Sequence, residues 1–186
     1  GAGPGDKELI SLKGAKLLSK ADCIIHDALV NPALLEHAKA EAEIIFGGKK
    51  PRSHTMSQEA INQLLVQKAK EGKMVVRLKG GDPFIFGRGG EEATTLHEAG
   101  IIFEVIPGIS SVNAVPAYAG IPLTHREVSS SYSVFTGRSN PNQKVPDYPW
   151  DTIARTPGTK VLLMCVERFK DVADELIKHE LPASTP

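Results

Sequence analysis

Short apolar runs alternate along this chain with segments of helical periodicity. Three such runs, Cys23–His26, Glu43–Phe46 and residues 74–78, are each four or five residues long, and Ser57 opens an amphipathic helical pattern between the last two. Strands separated by helices of about ten to fifteen residues are typical of βαβ units. The alternation therefore predicts an α/β fold with a mainly parallel sheet in the first part of the chain.

The alternation of short apolar runs with helical segments changes after residue 122, which predicts a second unit. The remaining predicted elements are helices over 6–20, from Asn31, over 90–100 and over 170–179, and strands over 101–106, 128–136 and 159–166. We expect one α/β domain over 1–125 and the start of a second over 126–186. A glycine-rich loop that opens into a helix usually follows a strand. Because no strand precedes Gly1, we expect both ends to be cut from a longer protein.

Charge and cysteine content exclude several classes of function. Lys and Arg number 22, as do Asp and Glu, so there is no bulk positive field to attract nucleic acid or a lipid surface. The uncharged stretch 105–124 contains three prolines and several polar residues, which argues against a membrane span. Cys23 and Cys165 lie in apolar runs and are expected to be buried free thiols. We expect a cytoplasmic protein without a metal site.

In a parallel sheet, functional residues gather in the loops at the carboxyl ends of the strands. Asp27 leaves the first apolar run, where it suits either a turn cap or a general base. The loop 47–54 follows the second run and is rich in cations, and the loop 79–92 follows the third. Between residues 47 and 88 there are nine Lys or Arg residues against three Asp or Glu. Some of these cations lie on the outer face of the helix that Ser57 opens. The others lie in or beside loops, where they suit a small polyanionic ligand.

Four motifs carry a resemblance to a known family: GAGPGD at 1–6, HDALV at 26–30, VVRLKGGDPFIFGRGGEE at 75–92 and VIPGISSVNAVPAYAGIPLTHR at 105–126. In this order and spacing they resemble the tetrapyrrole methylases, and most closely the branch that acts on uroporphyrinogen III. The resemblance covers essentially the whole chain. It implies two α/β domains with the active site in the cleft between them, and a homodimer.

The resemblance also implies an activity and a set of site residues. The activity is methyl transfer from S-adenosyl-L-methionine to two pyrrole carbons of uroporphyrinogen III, giving precorrin-2 for sirohaem or cobalamin. Asp27 would accept a proton, and Lys49 would donate one or bind substrate. The implied donor-binding residues are Pro4, Gly80, Gly81, Asp82, Ile85, Ser110, Ser111 and Met164. The expected contacts to the substrate carboxylates are Arg88, Arg52, His54 and Arg126.

Two alternatives stay open at this point. A sister methylase of the same fold would share the donor motif and act on a later corrinoid intermediate. A nucleotide-binding module or oxidoreductase would use GAGPGD as a phosphate cradle, with an acidic ribose partner about twenty residues later. Asp27 lies near that spacing. This second alternative predicts binding of NAD or ATP and leaves the GGDPF loop without a role.

Overall fold

The computed structural model describes residues 1–48, 56–137 and 145–186. Two compact units are present, Gly1–Ala114 and Val115–Pro186. The domain boundary that we expect at residues 125 and 126 stays a prediction. Within the described residues, every helix is too short or too polar to cross a membrane.

The first unit is built on a three-stranded parallel sheet. Its strands are β1 (Cys23–His26), β2 (Glu43–Phe46) and β3 (Val75–Leu78), in the order β2-β1-β3. The helices of this unit are α1 (Leu12–Leu18), α2 (Gln58–Lys70) and α3 (Gly89–Glu98), and short 3-10 helices cover Lys7–Leu9 and Pro32–His37. A further helix, α4 (Ser111–Tyr118), follows. The α/β fold with a parallel sheet is thus confirmed.

The central strand explains why the sheet forms where it does. Cys23, Ile24 and Ile25 of β1 are completely buried. Ile24 packs on one face with Leu18 of α1, whereas Ile25 packs on the other face with Ile61 of α2. Strands buried on both faces are characteristic of parallel sheets with helices on either side.

Two expectations for the first unit are wrong. Residues 101–106 form no strand, although they are largely apolar. A groove of about 380 Å³ is lined by these residues and by β3, and no described strand pairs with them. The helix expected over 6–20 is interrupted after Leu9, and Ser11 begins α1 by accepting a hydrogen bond from the Gly14 amide at 3.0 Å. Ile10 and Ser11 are both extended, so the chain leaves the 3-10 helix before Ser11 caps α1.

The second unit contains a two-stranded parallel sheet, β4 (Tyr132–Thr136) paired with β5 (Thr159–Leu163). Its helices are α5 (Trp150–Arg155), α6 (Phe169–Lys178) and a 3-10 turn over Val166–Arg168. The core includes Phe135, Trp150 and Val172. Both strands and α6 were expected from the sequence, whereas α5 was not. Cys165 and Cys23 are buried and free, as expected.

Candidate active site

The parallel register brings three loops to one edge of the sheet in the first unit. His26 of β1 lies beside Phe46 of β2 and Leu78 of β3, so the residues that follow these three positions emerge side by side. Those residues are Asp27, Gly47 with Gly48, and the segment 79–82. The prediction that these loops meet at one edge of the sheet is therefore confirmed.

The opening glycine loop meets the third loop backbone to backbone. The Ala2 amide donates to Lys79 O at 2.7 Å, and Gly3 and Gly81 form an isolated antiparallel bridge. A Cβ on Gly1 would lie 2.5 Å from the Cα of Gly108. Such contacts exclude any larger side chain at Gly1, so the opening loop uses this glycine for close packing of the backbone.

The two glycines of the GGDP loop have different surroundings. A Cβ on Gly80 would lie 2.8 Å from the Cβ of Leu29, so this glycine lets the loop pack on the turn after β1. Gly81 has a φ of 63°, in the left-handed region, and a Cβ there would meet only the Cα of Ser110 at 3.9 Å. Gly81 therefore presents an open backbone surface that a ligand can approach.

Asp82 fixes the loop to the segment before α4. Its Oδ1 accepts a hydrogen bond from the Phe84 amide at 2.8 Å, and its Oδ2 accepts one from the Gly108 amide at 3.0 Å. Ser110 is buried, and its Oγ accepts a hydrogen bond from the Val112 amide at 3.2 Å. The loop next to Gly81 is thus held by its own hydrogen bonds, with Ile85 partly exposed beyond it.

Asp27 is half-buried at the end of β1. Its Oδ1 accepts hydrogen bonds from the Leu29 amide at 3.2 Å and from the Gly80 amide at 3.4 Å. Across the part of the chain that the structure describes, no hydrogen bond to Oδ2 is recorded. The carboxylate is therefore oriented through one oxygen, which also links it to the GGDP loop.

The cations in and beside β3 are more fully paired than we expected from the sequence. Lys73 lies at the amino end of β3 and binds Glu43 at 2.8 Å and Glu71 at 3.1 Å. Arg77 and Lys79 are both bound to Glu92, at 3.1 and 3.0 Å. Each of these three cations thus has a carboxylate partner, which sequence reasoning could not identify because Glu43 and Glu92 are distant in the chain. Binding of a small polyanionic ligand by the cations of 47–88 stays a prediction.

Arg88 is the exposed cation of the third loop. Its Nε and Nη2 donate to the two carboxylate oxygens of Glu91 at 2.7 and 2.6 Å, while more than half of the side chain stays exposed. The same contact lowers the pKa of the Glu91 carboxyl and raises that of the guanidinium. Arg88 has a left-handed φ of 57°, so this residue also shapes the turn into α3.

The other expected site residues fall in three places. Lys49, Arg52 and His54 lie outside the described residues. Pro4 belongs to the opening loop, and Ser111 is the first residue of α4. In the second unit, Met164 directly follows β5 with a left-handed φ of 54°, and Arg126 is exposed. No group of three or more metal-binding side chains was found among the described ranges.

The whole chain matches one protein family. Residues 1–186 fit the model of the tetrapyrrole (corrin/porphyrin) methylases. The chain belongs to this family. One tetrapyrrole methylase relative is the S-adenosyl-L-methionine-dependent uroporphyrinogen III methyltransferase of Methanosarcina barkeri. It is 53% identical over 186 residues, which make up 100% of this chain and 73% of that protein.

Solved structures of tetrapyrrole methylases agree with this fold. The uroporphyrin-III C-methyltransferase of Thermus thermophilus, complexed with S-adenyl homocysteine, aligns with a TM-score of 0.79 and 40% identity, covering 96% of this chain and 74% of the other. A cobalt precorrin-4 methyltransferase aligns with a TM-score of 0.83 and 31% identity, covering 96% and 72%. The α/β fold inferred from the alternation of strands and helices is therefore that of the family.

Proposed function

We propose that this protein transfers methyl groups from S-adenosyl-L-methionine to two pyrrole carbons of uroporphyrinogen III, giving precorrin-2. The observation that carries the proposal is the 53% identity, over the entire chain, to a methyltransferase with this donor and this substrate. The open surface at Gly81, beside a loop fixed by its own hydrogen bonds, gives the donor a place to bind.

The residues at this edge of the sheet suit the donor. S-adenosyl-L-methionine supplies a sulfonium methyl group that an electron-rich pyrrole carbon can displace from sulfur. Gly81 offers open backbone, and Asp82 and Ser110 keep the neighbouring segments in place. A rigid loop supports catalysis by holding two reactants in a fixed relative position. The proposed donor-binding residues are Pro4, Gly80, Gly81, Asp82, Ile85, Ser110, Ser111 and Met164.

Asp27 is our candidate for the proton acceptor. A carbon that has been methylated must lose a proton, and a positioned carboxylate can take it. The Leu29 and Gly80 amides orient Oδ1 of Asp27, which leaves Oδ2 for the proton. Lys49 is proposed as a proton donor or as a contact to the substrate.

The substrate is a polycarboxylate, so cations should bind it. We propose Arg88, Arg52, His54 and Arg126 as these contacts. The Arg88 guanidinium can bind a carboxylate through two hydrogen bonds, as its bidentate contact with Glu91 illustrates. Binding of a substrate carboxylate would compete with Glu91 or use the remaining donors of the guanidinium.

We also propose the family's two-domain arrangement with an interdomain active site, together with a homodimer in the cytoplasm. These points follow from the family resemblance. The mass of the purified protein measured by light scattering tests the dimer: a mass of one chain at micromolar concentration would contradict it.

The reaction itself is tested by incubating the purified protein with uroporphyrinogen III and methyl-labelled S-adenosyl-L-methionine. We expect two labels per macrocycle. The cobalt precorrin-4 methyltransferase alignment favours a sister methylase as the second candidate. Label that enters a later corrinoid but not uroporphyrinogen III would support that candidate. Binding of NAD or ATP without methyl transfer would overturn both.

A further inference from the structure

Glu92 is a buried carboxylate beneath the GGDP loop. It is 5% exposed, and its Oε1 accepts three hydrogen bonds, from Lys79 Nζ at 3.0 Å, Arg77 Nε at 3.1 Å and Gln58 Nε2 at 3.1 Å. A buried carboxylate needs such partners because its desolvation is costly. Here one oxygen collects donors from β3, from the residue after β3 and from α2.

This cluster is not what stability alone would favour. Lys79 is also 5% exposed, and it shares the Glu92 carboxylate with Arg77, so three charged groups are largely removed from water. Replacing buried ion pairs with apolar side chains of similar size is often neutral or stabilising. A buried cluster of this kind is therefore weak evidence for added stability, and the geometry that it imposes is the alternative role.

The geometry that it imposes is that of the GGDP loop. Lys79 immediately precedes the two glycines, and its side chain is anchored on Glu92 while its carbonyl accepts the Ala2 amide at 2.7 Å. Arg77 Nη1 donates to Ile25 O at 3.2 Å and to Leu78 O at 3.3 Å. Glu92 thereby fixes the chain from which Gly81 extends.

Side chains of two helices, α2 and α3, extend the hydrogen-bond network around Glu92. Gln58 Nε2 also donates to Asn62 Oδ1 at 2.9 Å, and Asn62 Nδ2 donates to Thr95 Oγ1 at 3.0 Å. Gln58 and Asn62 belong to α2, whereas Glu92 and Thr95 belong to α3. Among the described residues, the far end of this network joins the helices to each other, whereas the contacts with Lys79 and Arg77 are made at its Glu92 end.

We infer that Glu92 is a positioning residue for the donor-binding loop: through Lys79 and Arg77 it holds the backbone at Gly81 in the conformation that accepts the methyl donor. Glu92 does not contact the donor in this inference. The part that concerns the donor rests on the proposed function, whereas the part that concerns the loop conformation does not.

The test compares Glu92→Gln with Thr95→Val in the purified protein. Glutamine keeps an acceptor oxygen but loses the charge that holds the two cations, whereas Thr95→Val breaks the network at its far end. Two quantities are measured: hydrogen exchange of the Gly3 and Gly81 amides by NMR without ligand, and calorimetric affinity for S-adenosylhomocysteine. We expect Glu92→Gln to speed exchange and to weaken affinity by about tenfold each, since bonds to charged groups typically contribute that much.

Thr95→Val should change both quantities less than twofold, even if it lowers the melting temperature as much as Glu92→Gln does. Unchanged exchange in Glu92→Gln, or equal effects of the two variants, would overturn the inference. Faster exchange in Glu92→Gln, with no binding of S-adenosylhomocysteine by the parent, would support the loop role and overturn the proposed function. If Glu92→Gln does not fold, Lys79→Met must speed exchange at Gly3 and Gly81 instead.

Discussion

Gly81 and Gly3 are joined by two backbone hydrogen bonds. The Gly81 amide donates to Gly3 O at 2.6 Å, and the Gly3 amide donates to Gly81 O at 3.3 Å. The polar groups of Gly81 are thus satisfied within the protein, while its α-carbon faces open space. A ligand at this position would meet a preformed surface and would not have to displace a hydrogen bond of the loop.

We therefore predict that Gly81→Ala lowers affinity for S-adenosylhomocysteine at least tenfold, because the new methyl group occupies the space left for the ligand. Gly72 is a matched control: its φ is 78°, and a Cβ there would meet nothing within 4 Å. Both substitutions force alanine into a left-handed conformation, at a cost of about 1–2 kcal/mol. Equal affinities for the two variants, measured by calorimetry, would remove Gly81 from the donor site.

Asp27→Asn should mainly lower kcat for uroporphyrinogen III, by about 10²–10⁴-fold, as loss of a general base does. The amide oxygen of asparagine can still accept the Leu29 and Gly80 hydrogen bonds, so we expect an unchanged fold. Steady-state kinetics across pH measure the effect. A near-normal kcat with an unchanged pH profile would leave Asp27 only the role of a turn cap.

The sequence was most informative where local pattern and burial coincide. β1 and β2 have the predicted bounds, and Ser57 caps α2 by accepting the Ala60 amide, because these features depend on neighbouring residues. Residues 101–106 have the composition of a strand but not its structure. A strand exists only through hydrogen bonds to a distant partner, and the apolar character of a segment does not reveal whether that partner is beside it.

The candidate site shows the same difference between features set by neighbouring residues and features set by distant partners. The convergence of the loops at Asp27 and Gly81 follows from topology, which the order of strands and helices predicts. The roles of individual groups depend on what lies opposite in space. The three-dimensional structure is needed to distinguish the packed Gly80 from the open Gly81, and to identify Glu92 as the partner of Lys79.

Arg88→Ala should raise KM for uroporphyrinogen III by about ten- to a hundredfold, because a charge-assisted contact to a carboxylate is lost. Added salt should weaken the binding of uroporphyrinogen III more in the parent than in the variant. Arg155→Ala is the control, since Arg155 is similarly exposed and bound to a carboxylate one turn away. An unchanged KM for Arg88→Ala would remove Arg88 from the substrate site.

A second variant uses the contact between Arg88 and Glu91. Glu91→Gln removes the carboxylate that competes for the guanidinium, so KM should fall below that of the parent. The double variant Glu91→Gln with Arg88→Ala should have the same KM as Arg88→Ala alone. If Glu91→Gln lowers KM even without the arginine, its effect comes from the general loss of negative charge and not from Arg88.

Asp22 links the strands at the other end of the sheet. Its Oδ1 accepts a hydrogen bond from Lys39 Nζ at 2.6 Å, its Oδ2 accepts one from the Met74 amide at 2.7 Å, and its carbonyl accepts the Glu43 amide at 2.9 Å. The hydrogen bond from Lys39, followed by that from the Met74 amide, lowers the pKa of the Asp22 carboxyl from its ordinary value of 3.8.

Asp22→Asn should therefore lower the free energy of unfolding in a pH-dependent way. A carboxyl whose pKa is lower in the folded than in the unfolded state stabilises the fold fully above the unfolded value, and this contribution is lost as pH falls through the folded pKa. The difference between parent and variant should be largest near pH 7 and should shrink below about pH 3.8. Urea unfolding at several pH values measures it, with Asp151→Asn as an exposed carboxylate control. A difference that stays constant down to pH 3 would mean that the charge of Asp22 does not contribute to the stability of the sheet.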